Sequence, residues 1–321
     1  MRRREPRADE GVRKVAGDLR GVRFTNVRTT ERAAGEGTLL STMTDFLKAT
    51  AARKRAEIAA EMEELPQHEL LQRSLQGETL PRRNLRAALG GRELRLIAEL
   101  RRPPRDDLEA GLMFDPRYIA QEFAGAGAAA LSIFTDDPRV GTEPHLLRRA
   151  RRYMALPVIQ WDWFVDEYQV YQAWDNQADA VALVVGLVDD DTLGQMMRAA
   201  GKLRLTGIPV VRDRFEVESA LATEPQIIAI SDRDYETGEA DLDATERLAP
   251  QIPGEVLVIA ARGIASREDA ERVAAAGADA ALFEPPADYE LAKEAIRDLR
   301  GVLAPGRRAD GTPCSPEELE E

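Results

Sequence analysis

Residues 241–282 read DLDATERLAPQIPGEVLVIAARGIASREDAERVAAAGADAAL. An apolar run, Val256–Ala260, leads to a helical pattern over Ser266–Ala276 and then to a second run, Ala280–Phe283. Ser266-Arg267-Glu268-Asp269 has the spacing of a capping box, which satisfies the free amides at a helix start. Gly277 supplies the glycine that commonly ends a helix. One helix between two short apolar runs is the βα unit of a parallel sheet, because parallel neighbours need a crossover of about a dozen residues.

The same alternation extends outward. Further runs are Arg95–Leu100, Ala129–Phe134, Pro157–Trp161, Ala180–Val185, Ile208–Arg212 and Ile227–Ser231, making eight in all. They are nearly continuous in apolar residues, as parallel strands covered on both faces must be. Helices are predicted over Pro116–Ala126 and over Asp166–Gln177, the latter with Tyr168, Val170, Tyr171 and Trp174. Eight units predict an α/β chain folded as a (β/α)8 TIM barrel. An open doubly wound sheet is the alternative, but no Gly-x-Gly-x-x-Gly fingerprint supports it. A leading helix over 44–63, capped by Thr44 or Asp45, comes before the first strand. The expected organisation is a flexible N-terminal extension over 1–40, a barrel with its leading helix over 41–303, and a C-terminal tail over 304–321.

Composition narrows the classes. The chain has 321 residues, 44% of them hydrophobic, and a net charge of -13. That charge argues against nonspecific nucleic-acid binding and against an anionic membrane surface. The single cysteine, Cys314, excludes an intrachain disulfide. His68 and His145 are the only histidines and lack metal-ligand spacing, so no metal is expected. No apolar run reaches the roughly 18 residues of a membrane span, and the N-terminus lacks a signal peptide's apolar core. A cytoplasmic protein is expected.

Several segments carry a family resemblance. FLKATAARKRAEI, NLRAAL, FDPRYIAQEFAGAGAAALSIFTDD, EYQVYQA and the 241–282 stretch together resemble indole-3-glycerol phosphate synthases, from about Phe46 to about Gly301. The resemblance implies a barrel enzyme that closes, decarboxylates and dehydrates a carboxyphenylamino-deoxyribulose phosphate without a cofactor. It is strong in helices and strand interiors and fails at strand ends, where barrel enzymes keep their chemistry. IAELRR is similar to the family's IAEIKR: Glu99 is kept, but Arg101 stands at a lysine position. LPVIQWDWF, Leu156–Phe164, is similar to LPVLRKDF, with Trp161 at the general-acid lysine. The family's strand-five glutamate falls on Val210, or on Val211 or Pro209 if the alignment shifts by one. Its strand-six asparagine becomes Ser231, while Arg233 is kept. Glu-Ser-Gly becomes Ala261-Arg262-Gly263, and the phosphate-binding glycine pair becomes Glu284-Pro285. Ser-Pro-Ser after strand one becomes Pro103-Pro104-Arg105-Asp106.

These replacements oppose the reaction. Arginine does not exchange protons near neutral pH, and an indole has no proton to give as an acid. Proline lacks an N–H, and a carboxylate repels phosphate. Each lost acid or base costs typically 10²–10⁴-fold. The expected function is therefore a barrel without synthase activity, serving as a structural or interaction subunit whose protein partner docks on the terminal extensions. One alternative is a small-anion site or altered enzyme at a mouth holding Arg101, Trp161, Arg212, Ser231, Arg233, Arg262 and Glu284, with Glu99 as the inherited carboxylate available as a base. Another is a working synthase. The bland expectation for the same residues is an internal plug, with Arg101, Arg233 and Arg262 neutralised by Glu99, Glu284 and Asp162. Trp163 and Phe164 are expected to pack under a loop, and Tyr168 and Tyr171 between helix and barrel.

Overall fold

The computed structural model describes residues 35–76, 80–101, 114–136, 145–152, 154–235, 239–286 and 288–304. The C-terminal tail beyond 304, the N-terminal residues before 35 and the Pro103–Asp106 replacement lie outside the described residues. The chain divides into two units, Met1–Ser41 and Thr42–Glu321, and the second holds the barrel.

Eight parallel strands close in sequence order, which excludes the open sheet. They are β1 (Arg95–Glu99), β2 (Ala130–Phe134), β3 (Val158–Trp161), β4 (Ala180–Val184), β5 (Thr206–Val211), β6 (Ile227–Ser231), β7 (Leu257–Ala261) and β8 (Ala280–Phe283). Pairing of β8 with β1, Leu282 opposite Ile97, completes the ring. Helices α1 (Gly35–Glu64), α2 (Gln67–Gln76) and α3 (Leu85–Leu89) precede β1. The first of these starts well before the Thr44 or Asp45 cap expected from sequence. Around the barrel follow α4 (Pro116–Ala126), α5 (His145–Arg151), α6 (Glu167–Asp175), α7 (Asp190–Lys202), α8 (Arg214–Leu221), α9 (Asp243–Leu248), α10 (Arg267–Ala275) and α11 (Tyr289–Asp298).

Local chemistry sets these boundaries. Asp115, Asp166, Asp189, Asp213, Ser266 and Asp288 each accept a backbone amide of the helix they precede. At Ser266 the serine takes the Asp269 amide, while the Asp269 carboxylate reaches back to the Ala265 amide. Gly277 has φ 111°, a left-handed conformation that suits glycine.

Alternate strand residues face inward. Ile97, Ala130, Ile159, Trp161, Ala182, Val210, Ala229, Ile259, Ala261 and Leu282 share one buried interior cluster. Its many alanines leave room for the Trp161 indole, which is buried. Leu85 and Leu89 of α3 close the N-terminal end of the barrel, where Arg86 donates to the carbonyls of Gln226 and Glu255 just before β6 and β7. Two matching aspartates brace that end. Asp179, before β4, accepts the first amide of β3, from Val158, at 3.0 Å. Asp279, before β8, accepts the Val258 amide of β7 at 2.8 Å.

At the opposite end, Leu47 and Ala51 of α1 join the same interior cluster. The α1 helix therefore covers part of the mouth on the β3 side. Tyr168 is buried with Ile58 and Leu70 and donates to the Leu65 carbonyl at 2.8 Å. It thus fastens α6 to the leading helices rather than to the barrel. Phe164 packs in the layer between sheet and helices.

Candidate active site at the barrel mouth

The C-terminal ends of β1, β6, β7 and β8 bring five charged side chains into one network. Arg101 donates to Glu99 Oε1 through Nε at 3.0 Å and Nη2 at 2.6 Å. It also reaches Glu284 Oε1 at 3.0 Å. Arg233 donates to Glu284 Oε2 at 3.2 Å. Arg262 Nη2 lies 3.2 Å from Glu99 Oε2, an ion pair rather than a well-formed hydrogen bond. The network is graded in depth: Arg101 is 37% exposed, Arg233 33% and Glu284 21%, against 9% for Arg262 and 1% for Glu99.

Glu99 does not have the character of a general base. Burial alone would raise its carboxyl, but the charges of Arg262 and Arg101, with the Arg101 hydrogen bond, outweigh burial and hold it below the usual range. A carboxylate so stabilised is a weak proton acceptor at neutral pH.

Arg262 is the most constrained member. Its backbone has φ 68°, which costs a residue with a Cβ about 1–2 kcal/mol. Its guanidinium carbon lies 4.8 Å from the centre of the Trp161 ring and 5.0 Å from that of Phe134. These two rings are neighbours because Phe134 and Trp161 are opposite one another across β2 and β3. The Trp161 indole is thus buried and covered by a guanidinium.

Trp163 continues the aromatic surface, with Phe46 at 5.8 Å, Phe134 at 6.0 Å and Tyr235 at 5.2 Å between ring centres. The loop-packing role expected for Trp163 is thus played inside the mouth. Arg212 stands apart from the central network. It pairs with Glu216, four residues on, and lies 5.7 Å from the Tyr235 ring centre. A Cβ on Gly186 would strike both partners of that pair. Ser231 donates to the Arg233 carbonyl at 3.0 Å, shaping the loop rather than pointing a free hydroxyl at the mouth. Val210 is fully buried and inward-facing.

Asp162 departs from the expected plug. It faces out of the barrel, where Thr135 donates to it at 2.5 Å and Lys54 Nζ approaches at 3.4 Å. Lys54 also lies 3.2 Å from Asp136 and 3.5 Å from Glu57. Burial raises the Asp162 carboxyl despite Lys54 and Thr135. Burial also opposes the Lys54 charge, but the three carboxylates together keep its ammonium above the usual range. One cation shared among three acids explains why it gains more than Asp162 does. Lys54 was legible in the helix: it follows Leu47 and Ala51 at helical spacing and precedes Ile58, all on the buried face. A charge at such a position signals a buried partner.

Just past β6, Asp232 is fully buried against α9, accepting the Thr245 amide at 3.0 Å and lying 2.7 and 2.8 Å from its hydroxyl. Burial pushes this carboxyl up to about 8, against those hydrogen bonds.

Among the described residues no group of three or more His, Cys, Asp and Glu could hold a metal ion, and no helix is long and apolar enough to cross a membrane. Among the described residues the lysines, at 48, 54, 202 and 293, all lie on helices, so no described strand end presents an ammonium to the mouth.

Comparison with known proteins agrees with this architecture. The family model for indole-3-glycerol phosphate synthase matches residues 47–284. The chain is 34% identical over 247 residues to the indole-3-glycerol phosphate synthase of Acidithiobacillus ferrooxidans, covering 75% of this chain and 92% of that one. Against the Neisseria meningitidis serogroup B enzyme of that name, identity is 32% over 233 residues, 71% of this chain and 88% of the relative. The Dehalococcoides mccartyi strain CBDB1 enzyme is 35% identical over 199 residues, 60% of this chain and 76% of its own. A closed eight-stranded barrel and this extent of similarity place the chain in the indole-3-glycerol phosphate synthase family.

Proposed function

We propose that this member of the family no longer performs the ring-closing lyase reaction and uses its mouth to hold a small anion. The observation that carries the reading is that Trp161, which the resemblance sets at the general-acid position, is a buried indole roofed by Arg262. Around it, Arg101 and Arg233 are engaged by Glu284, and Glu99 is held ionised between Arg101 and Arg262. Acid–base catalysis needs groups that exchange protons near the working pH, and Glu99, held below the usual carboxylate range, is a poor one. Arg262 Nε and Nη2 and Arg233 Nε, buried without a hydrogen-bond partner, are the donors a small anion would take. The partner-docking role expected for the terminal extensions concerns residues that, before 35 and after 304, lie outside the described chain.

A second reading, a working synthase, is favoured by the 92% coverage of a synthase relative. Turnover decides between them. Pure protein is incubated with the carboxyphenylamino-deoxyribulose phosphate while indoleglycerol phosphate is followed by its indole fluorescence. No product from folded protein supports loss of the reaction. Turnover near that of ordinary enzymes, about 1–10³ per second, overturns it.

A further inference from the structure

Two buried carboxyls brace the rim of the barrel. Asp162 comes directly after Trp161 at the end of β3, and Asp232 directly after Ser231 at the end of β6. Each is bonded to a threonine hydroxyl, from Thr135 and Thr245 respectively. They differ in their countercharge. Lys54 stands 3.4 Å from Asp162, whereas no lysine or arginine among the described residues comes within ion-pair distance of Asp232. Asp232 also fixes more of the chain. Its carbonyl accepts the Asp241 amide at 2.7 Å and its carboxyl accepts the Thr245 amide at 3.0 Å. One residue therefore holds both the returning chain and the first turn of α9. From that anchor the arm Asp232–Tyr235 delivers two side chains to the mouth. Arg233 pairs with Glu284, and Tyr235 packs its ring on Trp163 at 5.2 Å.

Everything packed around this carboxyl favours its neutral form. On the α9 side the charges are Asp241, which opposes ionisation, and Arg247, which favours it but is paired with Asp241 at 3.1 Å. On the β7 side the Asp232 amide bonds the Ala261 carbonyl at 2.9 Å, and a Cβ added to Gly263 would lie 3.2 Å from the Asp232 side chain. Arg262, between those two residues, turns to Glu99 and Trp161 instead. On its own arm Arg233 turns to Glu284. A carboxylate formed here keeps the Thr245 donors but has neither a cation nor water, because Asp232 is fully buried. Such a charge gains hydration only by leaving its place.

We infer that Asp232 is a proton-operated catch that seats Arg233 and Tyr235 in the mouth. Protonated, it holds Thr245 and Asp241 and keeps the arm in place. Ionised, it leaves α9 for water, and the Arg233–Glu284 pair and the Tyr235–Trp163 contact loosen with it. The sign follows from burial, which pushes the seated carboxyl up to about 8, against about 3.9 for an aspartate in water. Seating is therefore firm in acid, weakens as pH rises between those values, and has its midpoint no higher than about 8. The catch works on the arm itself and is read without any anion, so its failure and that of the anion-binding reading are separate.

The test is acrylamide quenching of the tryptophan emission of the full chain across pH, with circular dichroism at each point. Trp163 is 9% exposed beneath Tyr235, Phe46 and Phe134, so unseating Tyr235 bares it. Expected is one sigmoid rise in quenching as pH increases, centred at or below about pH 8, with helix content unchanged. The step should vanish in Asp232→Asn, which stays neutral, and in Trp163→Phe, which removes the reporter. Two exposed positions keep the test open if Asp232→Asn does not fold. Asp241→Asn removes a repelling charge and should shift the midpoint down, while Arg247→Gln removes an attracting one and should shift it up. No step in the wild type, a step that survives in folded Asp232→Asn or in Trp163→Phe, or a midpoint indifferent to both surface variants overturns the catch. Loss of helix content at the same midpoint also overturns it, since the whole fold and not the arm would then be titrating.

Discussion

Glu99→Gln removes one charge from the deepest point of the mouth. Glu99 is 1% exposed and its partner Arg262 9%, so the charge lost is a desolvated one. Breaking a buried pair by deleting one partner costs about 3–5 kcal/mol. The glutamine oxygen still accepts from Arg101, and Arg101 is exposed enough for its own pairing to count for little. The net loss is about 2–4 kcal/mol. At roughly 2–4 °C per kcal/mol for a domain of this size, the melting temperature falls by about 4–16 °C. The sign with pH is fixed by the lowered folded-state carboxyl. A depressed carboxylate stabilises the fold above its unfolded value of about 4.3, and that contribution disappears as pH falls through the folded value. Thermal melts of wild type and variant, run from pH 7 down to pH 3, should begin to converge below about pH 4. A gap under about 1 °C at neutral pH, or one that persists undiminished in acid, would refute the ion-pair account of the mouth.

Three further outcomes are expected. Trp161→Lys alone should give no synthase turnover, since Glu284-Pro285 still replaces the phosphate-binding pair; product in that single variant would show strand eight to be misassigned. Lys54→Met leaves Asp162 buried beside Asp136 without its cation, and should cost about 2–4 kcal/mol at pH 7 by denaturant melts, the deficit shrinking in acid as Asp162 takes up a proton. Asp232 has a folded value of about 8, so the fold binds a proton that the unfolded chain has lost; wild-type stability should fall as pH rises from about 4 to about 8. Asp232→Asn imitates the protonated acid, and its stability profile should be flatter across that window.

The barrel was legible because parallel strands buried on both faces need uninterrupted apolar runs, and each such run became a strand within two residues of its expected ends. β5 shows what sets an end: the Arg212 amide leaves the sheet to bond Glu216, so the strand stops at Val211 although Arg212 continued the run. The start of α1 was less legible, since Thr44 and Asp45 are good caps yet the helix continues through them to Gly35. In the mouth, Glu99, Arg101, Arg233, Arg262 and Glu284 were predictable as neighbours because strand ends converge in a barrel. Which charge meets which was not. Asp162 sits one residue past Trp161 and so points away from the interior, to a lysine contributed by a helix far earlier in the chain. Arg212 had its partner one helical turn ahead. Pairings of that kind depend on side-chain direction, which strand counting alone does not give.

The two aspartates at the closed end have a consequence for how the chain could be cut. Asp179 ties β4 to β3, and Asp279 ties β8 to β7, so each latch lies wholly within one set of four consecutive strands. The α3 plug precedes β1 and therefore travels with the first set. A break in the connection between β4 and β5 severs neither latch. Two fragments made separately, meeting at that seam, would each arrive with their own internal fastening already specified.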